Sequence, residues 1–330
     1  MMKDTLLEML KPFGPSGSER AIREKIAETV RPYVDELFSD AMGNLIAVKR
    51  GTGEGRRVLF SAHMDTIGLM VYAADEKGFL RVTPLGGVSA AQMVARKVVF
   101  ENGAEGVVSS EPLPDGKYTM GRLFIDVGAE TEEEALKIAP VGSVCSLPLQ
   151  AAFLGERVSA PYMDNRSACA VLVELLKALD TTKHDVFAVF STQEEVGCRG
   201  AKAAAFALEP DVGVAIDVTV AGGTPKADPP MPVYVGKGPA VKIKDSGSIS
   251  TPAVRDALIA AAKRAGVPFQ YEVLPYGGTD ASAIVTTRGG VPAGTLSIPC
   301  LYVHSPVETV SLRDMEQSVA LLKAYVEGLE

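Results

Sequence analysis

The chain has 330 residues, 47% of them hydrophobic, with 33 basic against 41 acidic side chains and a net charge of -8. That length allows two domains and a large buried core. The acidity, without any arginine-rich run, argues against nucleic acid as a partner, and no apolar stretch reaches the roughly 18 residues of a membrane span.

Residues 1–10 carry acids inside an apolar run, which predicts an amphipathic helix rather than a signal peptide. Helical spacing covers 3–11 and 18–32. Between them lies Gly14-Pro15-Ser16-Gly17, with Ser16 or Ser18 placed to cap the second helix. Residues 44–50 and 57–62 predict strands, the second delivering His63 and Asp65. From 69 to 159 the texture turns to valine, glycine and short alternating runs, broken by one helix near 130–138. Turn signals stand at 75–78, 85–88, 101–103 and 113–116. Strands this short and dense predict a small barrel or sandwich.

From residue 160 the pattern changes again. A helix over 165–179 is followed by strands at 186–190, 212–216, 270–274 and 293–297. These alternate with helices near 200–207, over 251–265, from about 280, and over 312–329. Such alternation predicts an α/β layer around a mostly parallel central sheet. The expected organisation is a discontinuous α/β domain, 1–68 and 160–330, with a β-rich insert at 69–159. The four cysteines are isolated, with no CxxC pair, and predict reduced thiols in a cytoplasmic protein. Cys198 reads as a core or supporting thiol rather than a nucleophile.

Five polar motifs each sit just past an apolar run, scattered over about 240 residues. They centre on His63 with Asp65, Asp164, Glu194 with Glu195, Asp217, and His304. In open α/β sheets ligands bind beyond the carboxyl ends of the strands, so these side chains would converge in one crevice. His63 and Asp65 share a face of an extended segment, so Asp65 can accept a hydrogen bond from the second ring nitrogen of a metal-bound His63. Asp164 reads either as a helix N-cap or as a carboxylate bridging two metals. Of Glu194 and Glu195, one can bind metal while the other faces substrate. Asp217 emerges from an apolar strand, where an unpaired carboxylate is costly and calls for a cation or a fixed hydrogen-bond partner. His184 sits in a polar loop and receives no role.

The charges suit two cations. Asp164, Glu195 and Asp217 carry three negative charges, and a bridging hydroxide adds a fourth. With Asp164 shared, each metal has three protein ligands and an open position. Two metals about 3.5–4 Å apart acidify a bridging water and polarise a carbonyl, and Glu194 would carry the water's proton to the leaving amine.

These motifs resemble the tetrahedral aminopeptidases of metallopeptidase family 42, which include glutamyl and deblocking aminopeptidases and members once labelled cellulases. The resemblance covers the whole chain. It is carried by 13–19, 62–68, 78–81, 84–87, Asp164-Asn165-Arg166, 193–197, 199–201, 277–281 and 304–308. It implies a three-layer α/β catalytic domain with an inserted β-barrel used in assembly. It implies that His63, Asp164 and Asp217 hold one metal and that Asp164, Glu195 and His304 hold the other. Glu194 is then the general base and Asp65 the carboxylate behind His63. The implied cofactors are two zinc or cobalt ions, the substrates short peptides with a free N-terminus, and the assembly dimers that build a dodecamer.

Cys300-Leu301 and Ser167-Ala168 depart from the family pattern without touching a ligand. Gly277 and Gly278 allow close backbone approach to a peptide, so Gly277, Gly278, Thr279 and Asp280 form the candidate substrate segment; an ordinary turn is the alternative. Competing readings are a related two-metal deacylase or carboxypeptidase, whose assembly domain is inserted later in the chain, and a glycoside hydrolase. The last is disfavoured by the lack of tryptophan and by 6% aromatic content.

Overall fold

The computed structural model describes residues 1–112, 114, 116–225 and 232–330. Its frame is one 11-stranded sheet. At the centre four strands run parallel in the order Asp185–Ser191, Arg57–His63, Val212–Val220 and Ala293–Leu301. Both flanks are antiparallel. Leu45–Lys49 and Glu36–Ser39 extend one edge, while Thr309–Ser311, Arg157–Ser159 and Ala152–Leu154 extend the other. Ala240–Lys244 pairs antiparallel with Ala293–Leu301 and parallel with Gln270–Val273. The sheet is thus parallel where it carries the site and mixed as a whole.

Side-chain alternation builds the three layers. Val58, Phe60 and Ala62 point to one face, as do Val186, Ala188 and Phe190. They pack under helices Met2–Leu10, Arg20–Val30, Met163–Ala178, Pro252–Arg264 and Leu312–Glu327. Leu59, Phe187 and Val189 point the other way, against Ala204, Ala205 and Leu208 of helix Arg199–Leu208 and Ile284 of helix Ala281–Val285.

The chain leaves this sheet just past Asp65 and forms a closed antiparallel barrel. Its strands, in order around it, are Gly68–Ala74, Leu80–Leu85, Leu123–Asp126, Glu105–Ser110, Lys97–Phe100 and Val144–Ser146. Leu69, Val71, Leu80, Val82, Val98, Phe100 and Ile125 fill it as a second core. The hairpin at 75–78 turns as the sequence suggests: Gly78 N–H donates to Asp75 O at 3.0 Å with φ +83. The turn signal at 113–116 falls partly on Leu113 and Asp115, outside the described residues. The barrel's last strand ends at Ser146; strands Ala152–Leu154 and Arg157–Ser159, which the sequence places with the insert, pair into the large sheet.

Several expectations change. The second helix starts at Arg20 with Glu19 as its N-cap and no side-chain cap, because Ser16 is committed elsewhere. The strand expected at 212–216 runs to Val220. Asp217 therefore lies within it, since polar Asp217 and Thr219 alternate with apolar Ile216 and Val218 and hide the continuation from an apolar-run reading. Likewise 293–297 extends to Leu301. The helix at Met163–Ala178 holds non-helical dihedrals at Asp164 and Asn165, and the peptide bond between them is cis.

Candidate metal centre

Strand register sets the ligands level. Ser191 pairs with His63, and Ala215 pairs with Ser61, so Asp217 stands beside His63 on the next parallel strand. Glu194 and Glu195 follow the end of one central strand, and His304 follows the end of another. Asp164 arrives from the start of the helix laid across the sheet.

Asp164 is the hinge of the site. Its Oδ1 lies 3.1 Å from His63 Nε2, and its Oδ2 lies 3.2 Å from His304 Nε2. Asp217 Oδ1 stands 3.6 Å from His63 Nε2, and Glu195 Oε2 stands 3.4 Å from His304 Nε2. Two triads result, His63–Asp164–Asp217 and Asp164–Glu195–His304. In each, the ligand atoms lie within 4.8 Å of one another. The donor set fits two divalent cations: imidazole nitrogens and carboxylates suit zinc and its neighbours, and the shared carboxylate turns one oxygen to each triad. Glu195 Oε1 is buried with no hydrogen-bond partner, as expected of a group arranged around an ion.

The shell around these side chains is built from backbone contacts. Asp65 Oδ1 accepts the N–H of Glu194 at 2.9 Å, and its Oδ2 accepts the N–H of Glu195 at 3.2 Å and the hydroxyl of Ser16 at 2.6 Å. His63 Nδ1 approaches the Asp65 backbone carbonyl at 3.2 Å and the carboxylate only at 3.6 Å. The expected ring-to-carboxylate bond is therefore replaced by one to the main chain. The carboxylate spends its lone pairs holding the Glu194–Glu195 turn instead. Glu308 accepts the N–H of His304 at 2.6 Å and that of Asp164 at 2.9 Å. That clamp holds His304 at φ +60, a left-handed conformation that non-glycine residues seldom adopt. Asn165 Nδ2 donates to Ile216 O at 2.9 Å, tying the Asp164 segment to the strand that carries Asp217.

Electrostatics follow from burying several acids beside two imidazoles. Burial opposes charge on His63, yet Asp217, Glu194 and Asp164 outweigh it and raise its pKa well above the ordinary value. His304 is likewise disfavoured by burial but drawn up to about 10 by Asp164 and Glu195. Burial also acts on Asp164, where the two imidazoles win and hold it well below the usual carboxylate range. Burial pushes Glu194 up to about 8, with Asp217, Asp280 and Asp65 adding to the push against His63. Glu195 is driven well up by burial and by Asp164.

The triads open into a cavity of about 470 Å³. Val218, Val220, Leu274 and Tyr276 form its apolar wall, and Gly277 and Gly278 line it, as proposed for substrate contact. Thr279 and Asp280 lie below the surface. Thr279 Oγ1 pairs with Thr295 Oγ1 at 3.0 Å, and Asp280 Oδ2 accepts from Ser61 at 2.6 Å and Ser191 at 2.5 Å. A direct substrate role for those two is not what their placement offers. His184, which received no role, is buried and accepts the Arg56 N–H through Nδ1 at 2.9 Å.

Sequence reasoning gave Ser16 only a helix-capping role and assigned none to Glu308 or Gly87. Gly87, on the loop after a barrel strand, presents its carbonyl to His304 Nδ1 at 3.2 Å. The paired glycines at 86–87 and the acid four residues past His304 were the visible signals.

Comparison with known proteins places this geometry. The family model described as M42 glutamyl aminopeptidase matches residues 43–321. The chain is 35% identical to a lysyl aminopeptidase of Pyrococcus furiosus, over 99% of this chain and 97% of that one. It superposes on an aminopeptidase from the archaeon Desulfurococcus kamchatkensis with a TM-score of 0.94 at 36% identity, covering 99% of this chain and 94% of that one. It superposes on the TET1 peptidase of Pyrococcus horikoshii, which can assemble into a tetrahedron or a large octahedral shell. There the TM-score is 0.88 at 33% identity, with both chains fully covered.

Proposed function

This chain belongs to the M42 glutamyl aminopeptidase family and is an aminopeptidase, and from that premise we propose that it removes N-terminal residues from short peptides at the centre around Asp164. One observation carries the reading: the two oxygens of Asp164 face different imidazoles, so a single carboxylate joins two ligand triads. His63, Asp164 and Asp217 would hold one cation, and Asp164, Glu195 and His304 the other. Zinc or cobalt ions bound there would supply Lewis acidity toward a peptide carbonyl and would acidify water.

The remaining chemistry belongs to the chain. Glu194 is a member of neither triad, yet its Oε2 reaches within 3.9 Å of His63 Nε2. Cys198 Sγ donates to Glu194 Oε1 at 3.2 Å, which leaves Oε2 as the oxygen toward the centre. Burial raises its pKa to about 8 in the ion-free protein, and cations held by the triads would draw it down toward the carboxylate form that accepts a proton. Glu194 thus takes a proton from water at Oε2 and delivers it to the leaving amine. Asp65 fixes where Glu194 and Glu195 leave the strand, and the apolar wall excludes water beside the scissile bond.

Assembly belongs to the same proposal. The barrel at 68–146 is offered as the module that joins subunits into dimers and, through them, into a dodecamer, in keeping with the shells formed by the similar TET1 peptidase. Among the described residues no helix is long and apolar enough to cross a membrane. The four free cysteines support a reducing, cytoplasmic setting.

The test is a panel of amino-acid anilides on metal-defined protein. Chelation should abolish hydrolysis, and zinc or cobalt should restore it. N-acetylated peptides should resist cleavage; their hydrolysis at a rate matching free peptides would point to a deacylase or carboxypeptidase instead.

A further inference from the structure

Behind Glu194 lies a group of side chains that the two triads do not use. Ligand atoms of Glu194, Cys198 and Asp280 all lie within 4.8 Å of one another. We propose that these three form a third cation site, which takes a soft divalent ion such as zinc or cadmium and disables Glu194 when filled.

The spacing is right for one ion. Ligands at about 2.0–2.3 Å from a tetrahedral zinc stand about 3.3–3.8 Å apart. Cys198 Sγ and Glu194 Oε1 stand 3.2 Å apart in a direct hydrogen bond, just under that range, so a small side-chain rotation admits the ion between them. Asp280 is 2% exposed, and its Oδ2 is occupied by the hydroxyls of Ser61 and Ser191, while Oδ1 has no hydrogen-bond partner. A buried carboxylate oxygen left unpaired is costly and calls for a partner such as an ion. Oδ1 is therefore the oxygen free to ligate.

The backbone holds the thiol in place. Cys198 sits at φ +52, and its N–H donates to Glu194 O at 3.0 Å, which folds the side chain back over the glutamate. Glu194 and Cys198 both line the cavity, so an ion has a path in. A thiolate beside two carboxylates favours zinc or cadmium over magnesium or calcium. As the Sγ–cation bond forms, the thiol proton leaves through the cavity to solvent, with no change of oxidation state. Glu194 Oε1 becomes a ligand, and the carboxylate no longer takes a proton. The binding stands on geometry alone; only its inhibitory effect rests on the role proposed for Glu194.

The experiment uses protein loaded with two equivalents of zinc and titrated with cadmium. Three signals are followed: the ultraviolet thiolate-to-cadmium charge-transfer band, the zinc released, and anilide hydrolysis. The wild type should bind one further equivalent, show the band, retain its zinc and lose activity at least about tenfold. Cys198→Ala and Cys198→Ser should show no band, and each should keep its own starting rate at the same cadmium concentration. Asp280→Asn should bind the added ion at least about tenfold more weakly. Zinc released one-for-one as cadmium enters, or a band that persists in both Cys198 variants, would overturn the proposal. A band in a protein that hydrolyses no peptide would leave the third site standing and remove the peptidase reading. An active enzyme without a band would do the reverse.

Discussion

The carboxylate of Glu308 accepts the backbone N–H of Asp164 at 2.9 Å across 144 residues of sequence. Its other oxygen takes the N–H of His304, so one buried side chain fixes two candidate ligands that lie far apart in sequence. Glu308→Gln places an amide N–H₂ against one of these donors, and Glu308→Ala removes both acceptors. Metal affinity should fall about 10–100-fold, more for Ala than for Gln, because groups that orient ligands carry that much of a site. Competition with a chromogenic chelator measures it. Unchanged affinity in Glu308→Ala would show that Asp164 and His304 hold their places without the clamp.

Glu194→Gln keeps the shape of the side chain but cannot accept a proton. Both triads are intact in this variant, so metal content should match the wild type while kcat falls about 10²–10⁴-fold. Metal analysis together with single-turnover kinetics separates the two effects. Full activity would remove Glu194 from the mechanism.

Loading of the centre should depend steeply on pH. In the ion-free protein the imidazole of His304 titrates up to about 10, and that of His63 well above its ordinary value, so both are protonated at neutral pH. Each must release its proton to bind a cation, so acid competes with metal and alkali assists it until the pH passes those values. Each ion displaces one imidazole proton, so the affinity for each should rise by about tenfold per pH unit through the neutral range, and the product of the two by about 100-fold. Calorimetry in buffers of different ionisation enthalpy counts the protons, and a pH-independent affinity would contradict the assignment of both histidines as ligands.

Lys242 lines the cavity but spends its charge internally. Its Nζ lies 3.1 Å from Glu272 Oε1 and 3.3 Å from Asp245 Oδ2, with all three side chains buried. Lys242→Met leaves two buried carboxylates without a cation and should cost about 3–5 kcal/mol of stability. Lys242→Met combined with Glu272→Gln should recover part of that loss. Urea unfolding of the ion-free protein reports both.

Gly87 brings the barrel into the metal centre. A Cβ there would collide with Nδ1 of His304, whose ring must stay put to serve its triad. Gly87→Ala should therefore weaken metal retention while leaving the barrel core intact. Dialysis against buffer followed by metal analysis tests it; retention equal to the wild type would mean the loop yields.

The alternation of apolar side chains along 57–62 and 186–190 is a local property, so those strands and the layers they support were readable from residue order. The acids and histidines that follow such runs were readable for the same reason, because a polar ligand after a buried strand has few places to point. Edge strands such as Glu36–Ser39, with little buried surface, left no comparable mark. Nor did the continuation of a strand through Asp217 and Thr219, where polar side chains interrupt the apolar signal.

Residue order by itself therefore determined the types of the central elements, the barrel-like texture of the middle third and which acids and histidines stand as candidate ligands. Tertiary structure alone decided that Asp65 spends its carboxylate on the Glu194–Glu195 turn, that Glu308 joins Asp164 to His304, and that Asp280 comes to rest beneath Glu194. These links span from 144 residues down to a single turn. Contacts of that kind depend on strand register and chain direction, which no local pattern encodes.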